Sequence, residues 1–250
     1  MDKTLLKGLQ VLEALAHSTR SRGVSDLAKE LDLTRSNMHR TLRTLVESGL
    51  VRQEESGAYA CTLKLFELGS AVPARSDVAG LADPIMLALA DATNETVHLS
   101  ALEGGDVIYL HKIDSTHPVR AYTTVGGRAP AYCVATGKAL LAFQPDSYLD
   151  RYEDALQRFT PKTLADLESL RAELREVRRQ GFALNRGEWR DSVCGVAAPV
   201  FGVGGRAVAA IGLSGPASRL GERLDDFAGQ ITAAARELTQ KMGCRLSASN

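Results

Sequence analysis

A chain of 250 residues, 44% hydrophobic and 24% charged, carries enough apolar material for two globular domains and shows no bias toward disorder. Its 30 basic and 30 acidic side chains cancel, so a nucleic acid or other charged partner must be met by a local cluster and not by a field over the whole surface. No apolar run approaches the roughly 20 residues that cross a bilayer, and Met1-Asp2-Lys3-Thr4 lacks the order of a signal peptide, so the expected compartment is the cytoplasm.

From Thr4 to His17, Leu5, Leu9, Leu12, Leu15 and Ala16 form a helical stripe expected to support the elements that follow. Val24 to Leu31 reads as a short helix capped by Ser25, Asp32-Leu33-Thr34 as a turn, and Arg35 to Ser48 as a second helix recapped by that turn. At 100° per residue, Met38, Leu42, Leu45 and Val46 share one side of this second helix. Ser36, Arg40, Arg43 and Glu47 lie opposite, with Asn37 and His39 on the flanks. Forked donors and small polar groups suit base edges and phosphates better than the Lys/Glu mixture of a helix shaped only for solubility. Two short extended runs around Glu54-Glu55-Ser56-Gly57 have the form of a wing. The pattern reads as a winged helix-turn-helix over residues 1–62, the alternative being an ordinary amphipathic helix of a small bundle, which the wing-like hairpin disfavours. Candidate DNA contacts are Thr34, Arg35, Ser36, Asn37, His39, Arg40, Arg43 and Arg52, with only Glu47 opposing the four arginines between positions 35 and 52.

Leu63 to Val72 reads as a connecting helix broken by Pro73, within a linker over residues 63–78. The second domain, 79–250, opens with a helix over Leu81 to Thr93 started by Asp83-Pro84. Thr96 to Leu102 and Val107 to Ile113 then read as antiparallel strands around Gly104-Gly105, both glycines supplying positive φ. Val196 to Val203 and Ala207 to Ser214 repeat the pattern around Gly204-Gly205. Ala129 to Phe143 and Leu164 to Gly181 read as helices between the hairpins, and Leu224, Phe227, Ile231, Ala235, Leu238 and Met242 mark a final amphipathic helix. The fold class expected is α+β, an antiparallel sheet covered by helices.

Cys61, Cys133, Cys194 and Cys244 form no Cys-x-x-Cys pair, which argues against a zinc ribbon or a disulfide scaffold and for buried thiols. No metal-spaced His/Cys set, phosphate-binding glycine loop or dinucleotide fingerprint is present, so no cofactor and no metal is expected. An alternative reading is a small-molecule enzyme with Cys194 as nucleophile and Glu188 or a histidine as base. Against it, His98, His111 and His117 have no visible orienting partner and read as strand-surface residues. Trp189 is either an aromatic wall over a ligand or a half-buried anchor.

Three segments together resemble the isocitrate lyase regulator (IclR) family of bacterial transcription factors over nearly the whole chain. They are the helix-turn-helix Val24 to Val51, the run Gly126 to Ala142, and the late pair Gly195 to Val200 and Ser214 to Leu220. The resemblance implies an N-terminal winged helix-turn-helix, a linker helix and a C-terminal GAF-like effector-binding domain. It implies homodimers or dimers of dimers on double-stranded operator DNA, mostly repressing catabolic genes in response to a small organic acid. Backbone amides at Ala135 and Thr136 would then hold the effector carboxylate, and Asn185, Cys194, Gly212 and Ser214 would complete the pocket, with Trp189 beside them. Asn185 stands where an acid is frequent and Gly212 where a hydroxyl is, which implies fewer charged contacts and more room. Ser192 replaces a usual glycine before the strand.

Overall fold

The computed structural model describes residues 3–71 and 78–244. The chain divides into two compact units, residues 1–74 and 75–250. Among the described residues no helix is long and apolar enough to cross a membrane, and no group of three or more His, Cys, Asp or Glu could hold a metal ion.

The first unit packs α1 (Lys3–Ala16), α2 (Val24–Glu30) and α3 (Arg35–Glu47) around Val11, Leu15, Leu27, Met38 and Leu42. Burying each of these larger side chains contributes about 1.5–3 kcal/mol. α3 begins where Thr34 Oγ1 accepts the Asn37 N–H at 3.3 Å, the expected recapping. α2, in contrast, starts one residue before Ser25, with Gly23 at the N-cap and no side-chain cap bond. The expected stripe on α1 is only partly inside. Val11 and Leu15 are buried, whereas Leu5 and Leu9 are 63% and 48% exposed because the helix extends beyond the core it supports. Val46 likewise falls outside the buried side of α3, at 36% exposed.

β1 (Val51–Gln53) and β2 (Tyr59–Cys61) form the wing, with Gly57 at φ +80° closing the turn and Arg22 bridged to Tyr59. α4 (Lys64–Ala71) follows, anchored where Lys64 Nζ donates to the Ser48 carbonyl at 2.6 Å. The expected break at Pro73 lies outside the described residues.

In the second unit, α5 (Val78–Thr93) is longer than expected and carries Pro84 in its interior. Val78 and Ala82, ahead of the proline, are buried with Ile85, Met86 and Leu89, and that apolar contact outweighs one forfeited helix bond. β3 (Thr96–Glu103), β4 (Asp106–Ile113), β5 (Arg128–Pro130), β6 (Ala183–Asn185), β7 (Val193–Phe201) and β8 (Ala207–Pro216) make one antiparallel sheet in the order β5-β4-β3-β8-β7-β6. The expected helix from Ala129 resolves into the edge strand β5, a 3-10 turn over Ala131–Cys133 and a short α6 (Ala135–Leu141). Pro130 has no N–H for a helix interior. A Cβ on Gly137 would overlap the Ala131 carbonyl, so only glycine lets the chain fold back so tightly.

In the β3–β4 turn Gly104 alone has positive φ, +63°, so one glycine suffices where two were expected. The β7–β8 turn uses both, Gly204 at +89° and Gly205 at +72°. α7 (Leu167–Gln180) is capped by Asp166 and closed by Gly181 at φ +84°. After the short α8 (Ala217–Leu220), α9 (Ala228–Lys241) buries Ile231, Ala235 and Leu238. α5 and α9 pack on one face of the sheet with Leu99, Val196, Ile211 and Leu213, and α6 and α7 on the other with Val107, Ala197 and Ala210.

Candidate functional site

The side of α3 that faces away from the core is the first candidate. Met38 and Leu42 are wholly buried, Leu45 nearly so, and the opposite surface presents Arg35, Ser36, His39, Arg40 and Arg43 to solvent, with Asn37 partly covered. The arginines are not idle. Arg40 donates to Asn37 Oδ1 at 3.2 Å, Arg43 pairs with Glu47 at 3.5 Å, and Arg52 on the wing pairs with Glu54 at 3.4 Å. Glu54 therefore joins Glu47 as an opposing charge, a partner the spacing did not reveal. Exposed pairs of this kind contribute about 0–1 kcal/mol, so a phosphate or base edge can replace the carboxylate at small cost. His39, Arg40, Arg43 and Val46 line a surface groove that ends at Gln53 and Tyr59 on the wing.

The second candidate is a cavity in the other unit, built by strand register. Asn185, Gly195 and Ser214 lie opposite one another on β6, β7 and β8, and the neighbouring rung carries Ala197, Gly212 and His98. Alternation puts all of them on the face covered by α6. The cavity is lined by residues from these rungs, by Val134, Ala135 and Thr136 at the start of α6, by Tyr109, and by Trp189 and Arg190 from the loop after β6. The cavity has about 60 Å³ of free volume, several times what one water molecule needs.

Ala135, Thr136, Asn185, Trp189, Gly212 and Ser214 are thus brought together. Cys194 is not. It lies opposite Gly215 and packs with Val196 and Ala198 in the core on the other side of the sheet. Nor does Gly212 make room. A Cβ there would lie 2.7 Å from the Ala197 Cβ and 3.1 Å from the Thr136 methyl, so the missing side chain lets α6 approach the strand and the space is already filled. Ser192 fits its loop, its carbonyl accepting the Ala217 N–H at 2.7 Å.

The polar groups of the cavity have defined roles. Asn185 Oδ1 accepts the N–H groups of Gly187 at 2.9 Å and Glu188 at 3.1 Å, which orients the amide and leaves its NH2 as donor. His98 Nε2 and Ser214 Oγ are hydrogen-bonded at 2.6 Å, and Nδ1 meets Thr123 Oγ1 at 3.3 Å. Burial, helped by the nearby Lys112 ammonium against a smaller opposing pull from Asp114, lowers the imidazole to about 4, so His98 is neutral at pH 7. His98 was expected on a strand surface without partners; it is 4% exposed and held at both nitrogens. His111 is also held, by Asp83 at 2.7 Å. Burial raises the Tyr109 phenol to about 12.

Lys138, on α6, is 1% exposed and bonds both Glu188 and Glu173 at 2.8 Å. Glu188 also accepts the Arg186 N–H at 2.6 Å, so this buried charge fastens the loop that carries Trp189 and Arg190 to the helix that begins at Ala135. Sequence reasoning missed Lys138, because a lone lysine in a helix reads as solvated; the glycine before it and apolar residues after it were the available signal. His98 was recognisable only as a histidine in an apolar strand. The thiols are unsuited to nucleophilic work: burial pushes Cys133 up to about 12 and Cys194 upward as well, and all four cysteines are free.

Residues 4–55 match the IclR helix-turn-helix domain, and residues 70–240 match the bacterial transcriptional regulator IclR C-terminal domain. The chain is 35% identical over 244 residues to the HTH-type transcriptional regulator KdgR of Escherichia coli K12, covering 96% of this chain and 92% of that protein. It is 30% identical to the transcriptional repressor IclR of the same organism, covering 96% and 90%. The crystal structure of Thermotoga maritima IclR superposes with a TM-score of 0.78 at 27% identity, covering 98% of this chain and all of that one. These relatives are regulators and not enzymes. The chain therefore belongs to the IclR family of DNA-binding bacterial transcriptional regulators.

Proposed function

We propose that this protein is an effector-responsive repressor of catabolic genes. It reads operator DNA in the cytoplasm with Thr34, Arg35, Ser36, Asn37, His39, Arg40, Arg43 and Arg52, and it binds a small organic acid in the C-terminal cavity. The observation that carries this reading is the division of α3 into a fully buried apolar side and an exposed side bearing Arg35, Arg40 and Arg43. A duplex groove accepts a helix of that kind, with forked guanidinium donors toward guanine edges and phosphates.

In the cavity, amides at Ala135 and Thr136, the Asn185 NH2 and the Ser214 hydroxyl receive a carboxylate, and Trp189 closes over it. α6 has only seven residues, so directed N–H groups and not a long helix dipole do this work. Cys194 and Gly212 serve by packing. The chain acts as a homodimer or dimer of dimers. Leu5, Leu6 and Leu9 on α1 and Leu63, Phe66 and Leu68 around α4 are all at least 40% exposed, and a second copy would cover them.

The ligand must bind the DNA-competent and DNA-incompetent arrangements with different affinity, since equal affinity shifts nothing. The test is selection of duplex fragments from the host genome on the full chain, followed by anisotropy titration of a retained fragment with small acids. A retained fragment whose affinity changes with an acid is expected. Failure to retain any duplex selectively overturns the DNA reading, and a retained fragment indifferent to every acid overturns the effector reading.

A further inference from the structure

The residues that line the cavity include no aspartate or glutamate and a single arginine, Arg190. The acids nearest to it in sequence are committed elsewhere, Asp191 to Lys162 at 3.1 Å and Glu188 to Lys138 at 2.8 Å. Arg190 itself makes no ion pair among the described residues; its guanidinium lies over the Trp189 ring, 4.9 Å from the centroid. It is exposed, so it stands at the open edge of the cavity. Deeper in, the donors are neutral: the Asn185 amide, the Tyr109 phenol and the His98–Ser214 pair.

The cavity therefore has two separate donor sets, a neutral one inside and an unmatched cation at its edge. We propose that Arg190, stacked on Trp189, is a specificity-determining residue that receives a second carboxylate, so that the cavity takes short dicarboxylic acids in preference to monocarboxylic acids of equal length. This rests on the reading of the cavity as an organic-acid site and adds the charge class of the acid. A planar guanidinium held by an aromatic face is oriented before the ligand arrives, and its fork matches a carboxylate in a way that a lysine does not. At the open edge the second carboxylate keeps part of its hydration, which lowers the desolvation cost of binding a dianion.

The chain has one tryptophan, and it lines the cavity, so its fluorescence reports occupancy directly. The experiment titrates propionate, butyrate and valerate against malonate, succinate and glutarate into the full-length chain. Tryptophan emission is the readout, with thermal melting as an independent measure of binding, in the wild type, Arg190→Gln and Arg190→Lys. At least one dicarboxylate should bind roughly tenfold more tightly than its monocarboxylate partner, the scale of a hydrogen-bonded charge contact. That preference should vanish in Arg190→Gln, persist in part in Arg190→Lys, and weaken with added salt.

Equal affinities in the wild type, or a preference that survives Arg190→Gln, would overturn the proposal while saturable monocarboxylate binding left the organic-acid reading standing. If no probe acid changed either emission or melting, the organic-acid reading itself would fall and this inference with it.

Discussion

The two units differ in how deeply they place charge. In the first, the arginines of α3 and the wing sit in water, and their partners are exposed acids: Arg43 and Glu47 retain 78% and 67% of their side-chain exposure. In the second, Lys138 has 1% of its side chain exposed between Glu188 and Glu173, and Glu95, 3% exposed, is clamped by Arg219 at 2.5 and 2.7 Å. An exposed pair is held weakly and can exchange its partner for a phosphate; a buried one cannot dissolve without leaving an unpaired charge inside. Among the described residues, exposed pairs occur in both units, and the buried ties of Lys138 and Glu95 are found in the second alone.

The most forceful way to break this contrast is Lys138→Met. Removing the ammonium strands Glu188 inside, and the expected loss is about 3–5 kcal/mol of stability in the C-terminal unit, measured by denaturant unfolding. Arg43→Ala should change stability by less than about 1 kcal/mol. Equal losses in the two variants would erase the distinction. Because Lys138 also fastens the loop carrying Trp189 and Arg190, Lys138→Arg should recover ligand binding to a greater degree than Lys138→Met.

His98 sharpens the contrast through pH. Its folded value near 4 lies below the ordinary 6.5, so the neutral imidazole contributes stability that is present above pH 6.5 and is lost as pH falls toward 4. The full difference is about 3 kcal/mol by linkage. His98→Gln should therefore flatten the wild-type decline between pH 6.5 and 4, read as the difference between the two unfolding curves. An unchanged slope would mean that His98 is not held neutral.

What could be read from residue order follows the same division. α3 was legible because its period runs over 13 residues, and its exposed side is written in the same pattern. The hairpins were legible from their glycines. The cavity was harder, because it is assembled from distant rungs: His98 meets Ser214 across 116 positions, and β5 and β6 have three residues each, too short for any periodicity. Cys194 shows the limit most clearly. Its strand was expected to begin at Val196 and begins at Val193, and residue order alone does not say which side of a strand faces α6. Family likeness implied a place for Cys194 in the pocket, and only its pairing with Gly215 put the thiol on the reverse side of the sheet.

A smaller effect isolates recognition. Arg40→Ala should weaken binding to a selected duplex by about 1–3 kcal/mol and relax preference at one base position, if its guanidinium leaves Asn37 for a base edge. Acid binding, read by Trp189 emission, should be unchanged. Measured by anisotropy on matched and single-mismatch duplexes, an equal loss on both would reassign Arg40 to backbone contact.

The finest discrimination is within the first unit, between α3 and the wing. Arg52 is 60% exposed at its side chain, loosely paired with Glu54, and lies on β1 of the wing opposite Ala60. On the proposed reading this guanidinium meets phosphate, which carries no base identity, so Arg52→Ala should lower affinity alike for every duplex. The counterion that the lost contact would have released remains condensed, and the slope of log K against log salt should fall in magnitude by about one unit. Arg40→Ala, if it reads a base edge, should leave that slope nearly unchanged while altering preference. Should the two variants exchange these signatures, the wing would be the reading element and α3 the clamp, and the assignment of roles within the exposed arginine set would have to be reversed.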